Sequence, residues 1–239
     1  MELSYQHPWP ATKPEAYAHQ DQATRTVLIQ EDTEEPSLIA AVDTAYGYAS
    51  RFIYAAAVVM TFPDLQEIER SYAQMPVSFP YYPGLFYFRE GPVIIRALAD
   101  LDTDADLILV SAHGIAHPRR CGMACHIGIA FDKPTIGCAR RLLAGHQKPV
   151  DTARGAWQPI TFRGSEVGVV YRSKDNVKPI FVSPGHRCDI TFAREIVVRC
   201  LRGFRLPEPL RVAHLLANKH KHYNETDRHH RQPQEIEQL

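Results

Sequence analysis

The sequence predicts a single α/β domain, a mixed sheet with helices on both faces, and three observations predict it. Three apolar segments near the start are spaced like consecutive antiparallel strands joined by short turns. An unbroken alternation of helical and strand-like segments follows, and two helical segments close the fold. At 239 residues and 45% apolar content, the chain can bury a sizeable core.

The elements follow in order. A polar helix over residues 14–30 is entered through a Pro-rich leader, and the acidic stretch EDTEEP from Glu31 to Pro36 reads as a linker. Residues 1–36 are thus an N-terminal helix and linker, and the main domain spans 37–218. SLIAAVDTAYGY, FIYAAAVVMTF and a segment around Gln66 to Met75 supply the three strands. The loop PVSFPYYPG leads to a helix from about Arg89 to Leu101 and then to the strand DLILVSA near 106–112. A second helix follows HPRR and ends near Asp132, and PTIGCA is a short buried strand. ITFRG and EVGVVYRS form a hairpin, KPIFVSPG one more strand, and DITFAREIVVRCLRG and PLRVAHLLAN the last helices. The tail over 219–239 is almost free of apolar residues and is expected to be disordered.

Composition narrows the function classes. Lys plus Arg and Asp plus Glu number 27 each, so no overall positive field recruits nucleic acid and any such surface is a local patch. Cys121, Cys125, Cys138, Cys188 and Cys200 are odd in number and too sparse for a disulfide scaffold, which favours reduced thiols. The N-terminus has no apolar signal region and no stretch has the length of a membrane span, so a cytoplasmic protein without membrane contact is expected, with a monomer favoured.

Several residues carry chemistry by type and position. Asp43 lies inside an apolar strand, where a carboxylate is costly unless it meets a metal or hydrogen-bond donors; the alternative is a strand-end cap of the turn at Gly47. Glu90 starts a helix in this reading, where the helix dipole alone would account for it. SAHGIAHPRRCGMACH joins a buried strand to a helix, the usual place for ligand-binding loops, so His113 and His117 are ligands, acid–base groups or plain loop residues. Cys121 and Cys125, one helical turn apart, read better as packed thiols than as zinc ligands. Arg119 with Arg120, and Arg140 with Arg141, suit bidentate phosphate contacts or a solvated surface equally. In FPYYPG the prolines stiffen a loop carrying Tyr81 and Tyr82, fit either to stack on a base or to anchor the loop in the core.

Taken together, VDTAYG, FPYYPGLFYFREGP, HGIAHPRRCG, PTIGCARRLL, RSKDNVKPIFVSPGHR and RLPEPLRVAHLLA resemble the endonuclease V family in content, order and spacing over roughly residues 37–217. The resemblance implies a ribonuclease H-like fold and recognition of deaminated purines, chiefly inosine, in single- or double-stranded DNA or RNA. It implies cleavage of the second phosphodiester on the 3′ side with a divalent cation. It places Asp43 and Glu90 at the family's first two metal-binding carboxylates, Tyr81 at a wedge tyrosine and His117 at a loop histidine near the scissile phosphate. The implied base pocket lies between the wedge, Pro80, Tyr81, Tyr82, Pro83 and Gly84, and the loop that carries His113, Arg119 and Gly122.

The chain departs from that pattern. Ser111 stands where a catalytic Asp is expected, Ala112 where a Gly is, Arg140 where a catalytic Lys is, and His214 where another Asp is. Arginine keeps the lysine's charge but cannot give up a proton. Asp43, Glu90, His117, Arg140 and His214 are therefore the candidate catalytic set, and Asp43, Glu90 and His214 the candidate metal ligands. That donor set favours manganese or another transition metal over magnesium. Three readings follow: an inosine-directed nuclease with weakened or altered metal dependence, a nucleic-acid binder that does not cleave, or an enzyme that reuses the pocket for a nucleoside or other small molecule with a transition metal.

Overall fold

The computed structural model describes residues 1–231. One eight-stranded sheet runs β3-β2-β1-β4-β5-β8-β7-β6, where β1 is Leu38–Tyr46, β2 Phe52–Thr61, β3 Glu67–Pro76, β4 Leu107–Val110, β5 Thr135–Ala139, β6 Trp157–Phe162, β7 Ser165–Tyr171 and β8 Ile180–His186. β1 pairs parallel with β4, and β4 with β5; every other pairing is antiparallel. The three expected antiparallel strands are thus present as β1 to β3, and the mixed sheet is that of a ribonuclease H-like fold.

Among the described residues there are five α-helices, α1 (Lys13–Thr26), α2 (Phe86–Ala99), α3 (Met123–Phe131), α4 (Ile190–Arg199) and α5 (Glu208–Arg231), of which α2 to α5 pack on the sheet. Strand alternation divides the core between the faces. On β1, Ala40 and Val42 face α2 and α3, whereas Ile39, Ala41 and Ala45 face α4 and α5. α1 starts from a capping box in which Thr12 and Glu15 satisfy each other's backbone, and it lies against α3 with Ala16 and Gln20 buried. Among the described residues no helix is long and apolar enough to cross a membrane.

Two expectations need correction. α2 begins at Phe86, not near Arg89, because Tyr87 and Phe88 bury against the sheet and extend the helix backwards. Glu90 consequently lies in the second turn and is no N-terminal dipole partner. The second correction concerns the tail: α5 continues to Arg231, so residues 219–231, expected to be disordered, are helical. Polar contacts hold this extension in place of apolar ones. The His220 ring meets Tyr54 and Tyr72 at 5.5 and 5.0 Å, and Glu225 accepts hydrogen bonds from the Tyr54 hydroxyl and the Tyr48 amide, both at 2.8 Å. The rest of the expected tail, 232–239, lies outside the described residues.

Candidate functional site

Three adjacent parallel strands end on three chemically distinct side chains. The pairing Val42 to Val110 and Val110 to Gly137 sets the register, and the Ser111 amide continues the ladder by donating to the Val42 carbonyl at 3.2 Å. Asp43 near the end of β1, Ser111 just beyond β4 and Arg140 just beyond β5 therefore line up across the sheet. This is the crevice at the carboxyl ends of parallel strands, where open α/β sheets bind ligands. A cavity of about 390 Å³ opens there, and Asp43, Glu90, Ser111, Arg140 and Arg141 share its lining.

Asp43 and Glu90 reach this cavity from different sides of β1. Asp43 is buried; its Oδ1 accepts the Thr44 amide at 2.8 Å, and its Oδ2 accepts from His214 Nδ1 at 2.8 Å and from the Arg140 guanidinium at 3.4 Å. Neighbouring Thr44 points the other way, toward α2, and its hydroxyl donates to Glu90 Oε2 at 2.9 Å. Glu90 Oε1 accepts the Tyr46 hydroxyl at 2.8 Å. Burial pushes the Glu90 carboxyl above the usual carboxylate range, against the pull of those two hydroxyls and with a smaller contribution from nearby Asp43. Burial, and then the Glu90 charge, likewise pushes the Tyr46 phenol up.

The second wall is the loop from His113 to Gly122. The His117 amide-side nitrogen Nδ1 accepts the Arg119 amide at 3.2 Å, so Nε2 carries the proton and donates to the Gly84 carbonyl at 2.9 Å. His117 thereby pins this loop to the FPYYPG loop. Burial lowers both His113 and His117 to about 4, leaving each neutral at pH 7. Two glycines permit the fit. Gly84 adopts φ of 81° beside His117, and a Cβ at Gly122 would lie 2.4 Å from the His113 carbonyl oxygen.

The candidate residues separate by position. Asp43, Glu90, His117 and Arg140 line the cavity with Gly84, His113 and Gly122, while His214 joins through its bond to Asp43. Tyr81 is 57% exposed and meets Phe86 edge-on at 5.1 Å, as a protruding wedge would. Pro80 and Pro83 are exposed on either side of the tyrosine pair. Tyr82 turns inward, half-buried against Phe79 at 5.9 Å, and anchors the loop instead of extending the wedge. Arg119 stacks 3.8 Å over the Tyr17 ring and pairs with Asp21 at 3.4 Å, outside the cavity. Cys121 and Cys125 are buried among apolar side chains, as expected of packed thiols.

Sequence reasoning missed Gln20, Thr44 and Tyr46. Gln20 is buried, its Nε2 donates to the carbonyls of Gly84 and Cys121 at 3.0 and 2.9 Å, and it lines the cavity. Its Oε1, like His113 Nδ1, is buried with no hydrogen-bond partner among the described residues. Thr44 and Tyr46 lie within VDTAYG, so the motif held the signal, whereas nothing on a polar helix marks Gln20.

The donors do not fit a divalent cation. Among the described residues no three His, Cys, Asp or Glu side chains are grouped to hold a metal; of the expected ligands, Asp43 and His214 are in contact, and Glu90 reaches the same cavity from the other side of β1. Each oxygen of the two carboxylates already accepts a protein hydrogen bond, and Ser111 offers only a neutral hydroxyl beside Asp43.

Carboxylates and guanidiniums share a cleft at the strand ends of a ribonuclease H-like sheet, and similarity to known proteins puts the chain in the nuclease class. The family model for endonuclease V matches residues 21–215. An endonuclease V of Trichormus variabilis is 42% identical over 219 residues, covering 91% of this chain and 99% of its own length. The crystal structure of endonuclease V from Streptomyces avermitilis superposes with a TM-score of 0.85 at 36% identity, covering 90% of this chain and 96% of that one. A Ciona intestinalis endonuclease V shares the fold, with a TM-score of 0.79 at 22% identity over 89% of this chain and 98% of that one, and was solved with a 23mer DNA containing an inosine followed by a ribo-adenosine. The chain belongs to the endonuclease V family, a family of nucleases that use a divalent metal.

Proposed function

We propose that this protein recognises inosine and related deaminated purines in nucleic acid and that its metal-dependent phosphodiester hydrolysis is weakened by Ser111, Arg140 and His214. The observation that carries the recognition half is the cavity between the FPYYPG and HGIAHP loops, held to one width by His117 and Gln20 on the Gly84 carbonyl. Tyr81, which packs on the lining residue Phe86, offers an exposed ring for stacking, and Gln20 Oε1 and His113 Nδ1 offer polar atoms to the edge of an extruded base. Arg140 and Arg141 supply positive charge for the backbone phosphates on the same lining.

The hydrolytic half rests on charge. When bound, a divalent cation polarises the phosphate and generates hydroxide. Asp43 and Glu90 remain to attract one, but Asp43 is already matched by His214 and Arg140, and the strand end at 111 contributes no anion. Arg140 can stabilise a developing phosphate charge and cannot donate the leaving-group proton. The bridge from Arg140 to Asp43 favours a non-cleaving binder as the second reading.

The test is a nicking assay on an inosine-containing strand. The unmodified protein should cut weakly or not at all in magnesium, with manganese supporting more of any residual cleavage. Ser111→Asp with His214→Asp should restore magnesium-dependent nicking, with Arg140→Lys added if arginine itself is the block. Efficient cutting by the unmodified protein in magnesium, abolished by Asp43→Ala, would refute the weakened-hydrolysis half. An unmodified protein that cannot tell an inosine strand from its adenosine counterpart would refute the recognition half.

A further inference from the structure

Across the three strand ends, a serine stands beside Asp43 and a guanidinium beyond it. The cavity lining holds two carboxylates, Asp43 and Glu90, and two guanidiniums, Arg140 and Arg141. The site is thus charge-balanced by the protein's own side chains. A dication has no surplus of negative charge to draw it in, and at Asp43 Oδ2 it would compete with both His214 and Arg140.

Arg140 puts a fixed positive charge beside Asp43 on the cavity lining. Its guanidinium lies 3.4 Å from Asp43 Oδ2, with the arginine side chain 40% exposed and the aspartate 10%. The contact holds the guanidinium on its aspartate side, and the side chain stays partly exposed on the cavity lining. Its backbone is held as well, because Arg205 donates from one guanidinium nitrogen to the Arg140 and Pro179 carbonyls, both at 2.8 Å. A guanidinium has five N–H donors in a planar fork that matches phosphate oxygens, so one contact with Asp43 leaves donors for a ligand. His214 completes the arrangement: Nδ1 donates to the same Asp43 oxygen, and Asn218 Nδ2 donates to the His214 carbonyl at 2.8 Å.

We infer that Arg140, positioned by Asp43 and supported by Arg141, holds the strand's phosphate in place of the family's metal, so that this protein binds nucleic acid without a divalent cation. The inference rests on the proposed nucleic-acid reading and adds how the backbone is held. Binding and cutting are thereby separated: strand capture depends on fixed side-chain charge, and only hydrolysis would call for a metal.

The experiment measures binding of a fluorescently labelled single strand, with one deoxyinosine or with adenosine in its place, by anisotropy over a salt series. Full-length protein is compared in excess EDTA and in manganese at matched ionic strength. Affinity for the inosine strand in EDTA should lie within about threefold of that in manganese, since the phosphate contacts are made by side chains. Arg140→Gln should lower affinity about tenfold for both strands and reduce the salt slope by about one unit, the signature of a lost phosphate contact. Arg140→Lys should keep the salt slope, which separates loss of charge from damage to the fold. Binding that appears only with manganese, or an Arg140→Gln variant with an unchanged salt slope, would overturn the inference. Equal binding of both strands, with metal independence and the Arg140 effect retained, would overturn inosine recognition and leave this inference standing.

Discussion

Gln20→Leu tests whether α1 is part of the pocket or an accessory helix. Leucine nearly preserves side-chain volume, so packing is kept while the amide is removed. Two hydrogen bonds disappear, a part-buried one from Nε2 to Gly84 O at 3.0 Å and a buried one to Cys121 O at 2.9 Å. Gly84 O retains the bond from His117 Nε2 at 2.9 Å, whereas the Cys121 carbonyl loses its side-chain partner. At about 1 kcal/mol net for each bond, with a further penalty for a stranded buried acceptor, the loss should be about 2 to 3 kcal/mol. Removing Oε1, which has no partner among the described residues, would by itself relieve the unbound protein, so the balance sits at the lower end of that range. Urea unfolding followed by fluorescence of Trp9 and Trp157 measures the loss. An unfolding free energy within about 0.5 kcal/mol of the unmodified protein, at unchanged m-value, would refute the idea that this glutamine ties the two pocket loops together.

Two further outcomes follow from the site. Tyr81→Ala should weaken binding of an inosine-containing strand by about 1 to 3 kcal/mol, the worth of one base–aromatic stack, with little effect on the urea midpoint because the ring is exposed; unchanged affinity in a direct titration would count against the wedge. Acid should destabilise the fold, because His113 and His117, held neutral to about pH 4 by burial, take up protons first in the unfolded chain, near pH 6.5. Their contribution is full above pH 6.5 and is lost as pH falls toward 4, at up to about 2 kcal/mol each by pH 5; a urea midpoint that does not move between pH 7 and pH 5 would contradict it.

What could be read from the sequence follows the physics of each segment. β1 and β2 were legible because their apolar runs exceed what a surface strand carries, and Asp43 stood out because a carboxylate amid them must find donors. α2 starts three residues earlier than the sequence suggests because burial of Tyr87 and Phe88 against the core, which only the fold reveals, sets its boundary. The extension of α5 was hidden because polar residues hold it, through His220 on two tyrosines and Glu225 on a hydroxyl and an amide. Composition cannot distinguish such a segment from a disordered one, since the partners lie on β2, on β3 and just beyond β1.

The site's connectivity was the least legible part, for a reason of topology. Asp43, Ser111 and Arg140 belong to separate segments of the chain, and only the parallel register of β1, β4 and β5 makes them neighbours. Once they are neighbours, Ser111 and Arg140 act on one local charge balance with Asp43. Ser111 lies between an aspartate and an arginine that reach each other at 3.4 Å. A lysine at 140 facing two aspartates would leave a negative surplus for a cation to fill, whereas an arginine facing one aspartate, with a second guanidinium on the same lining, leaves none. The local charge balance thus links positions 111 and 140, and it predicts that placing a carboxylate at 111 alone would leave Arg140 still competing with any metal for Asp43.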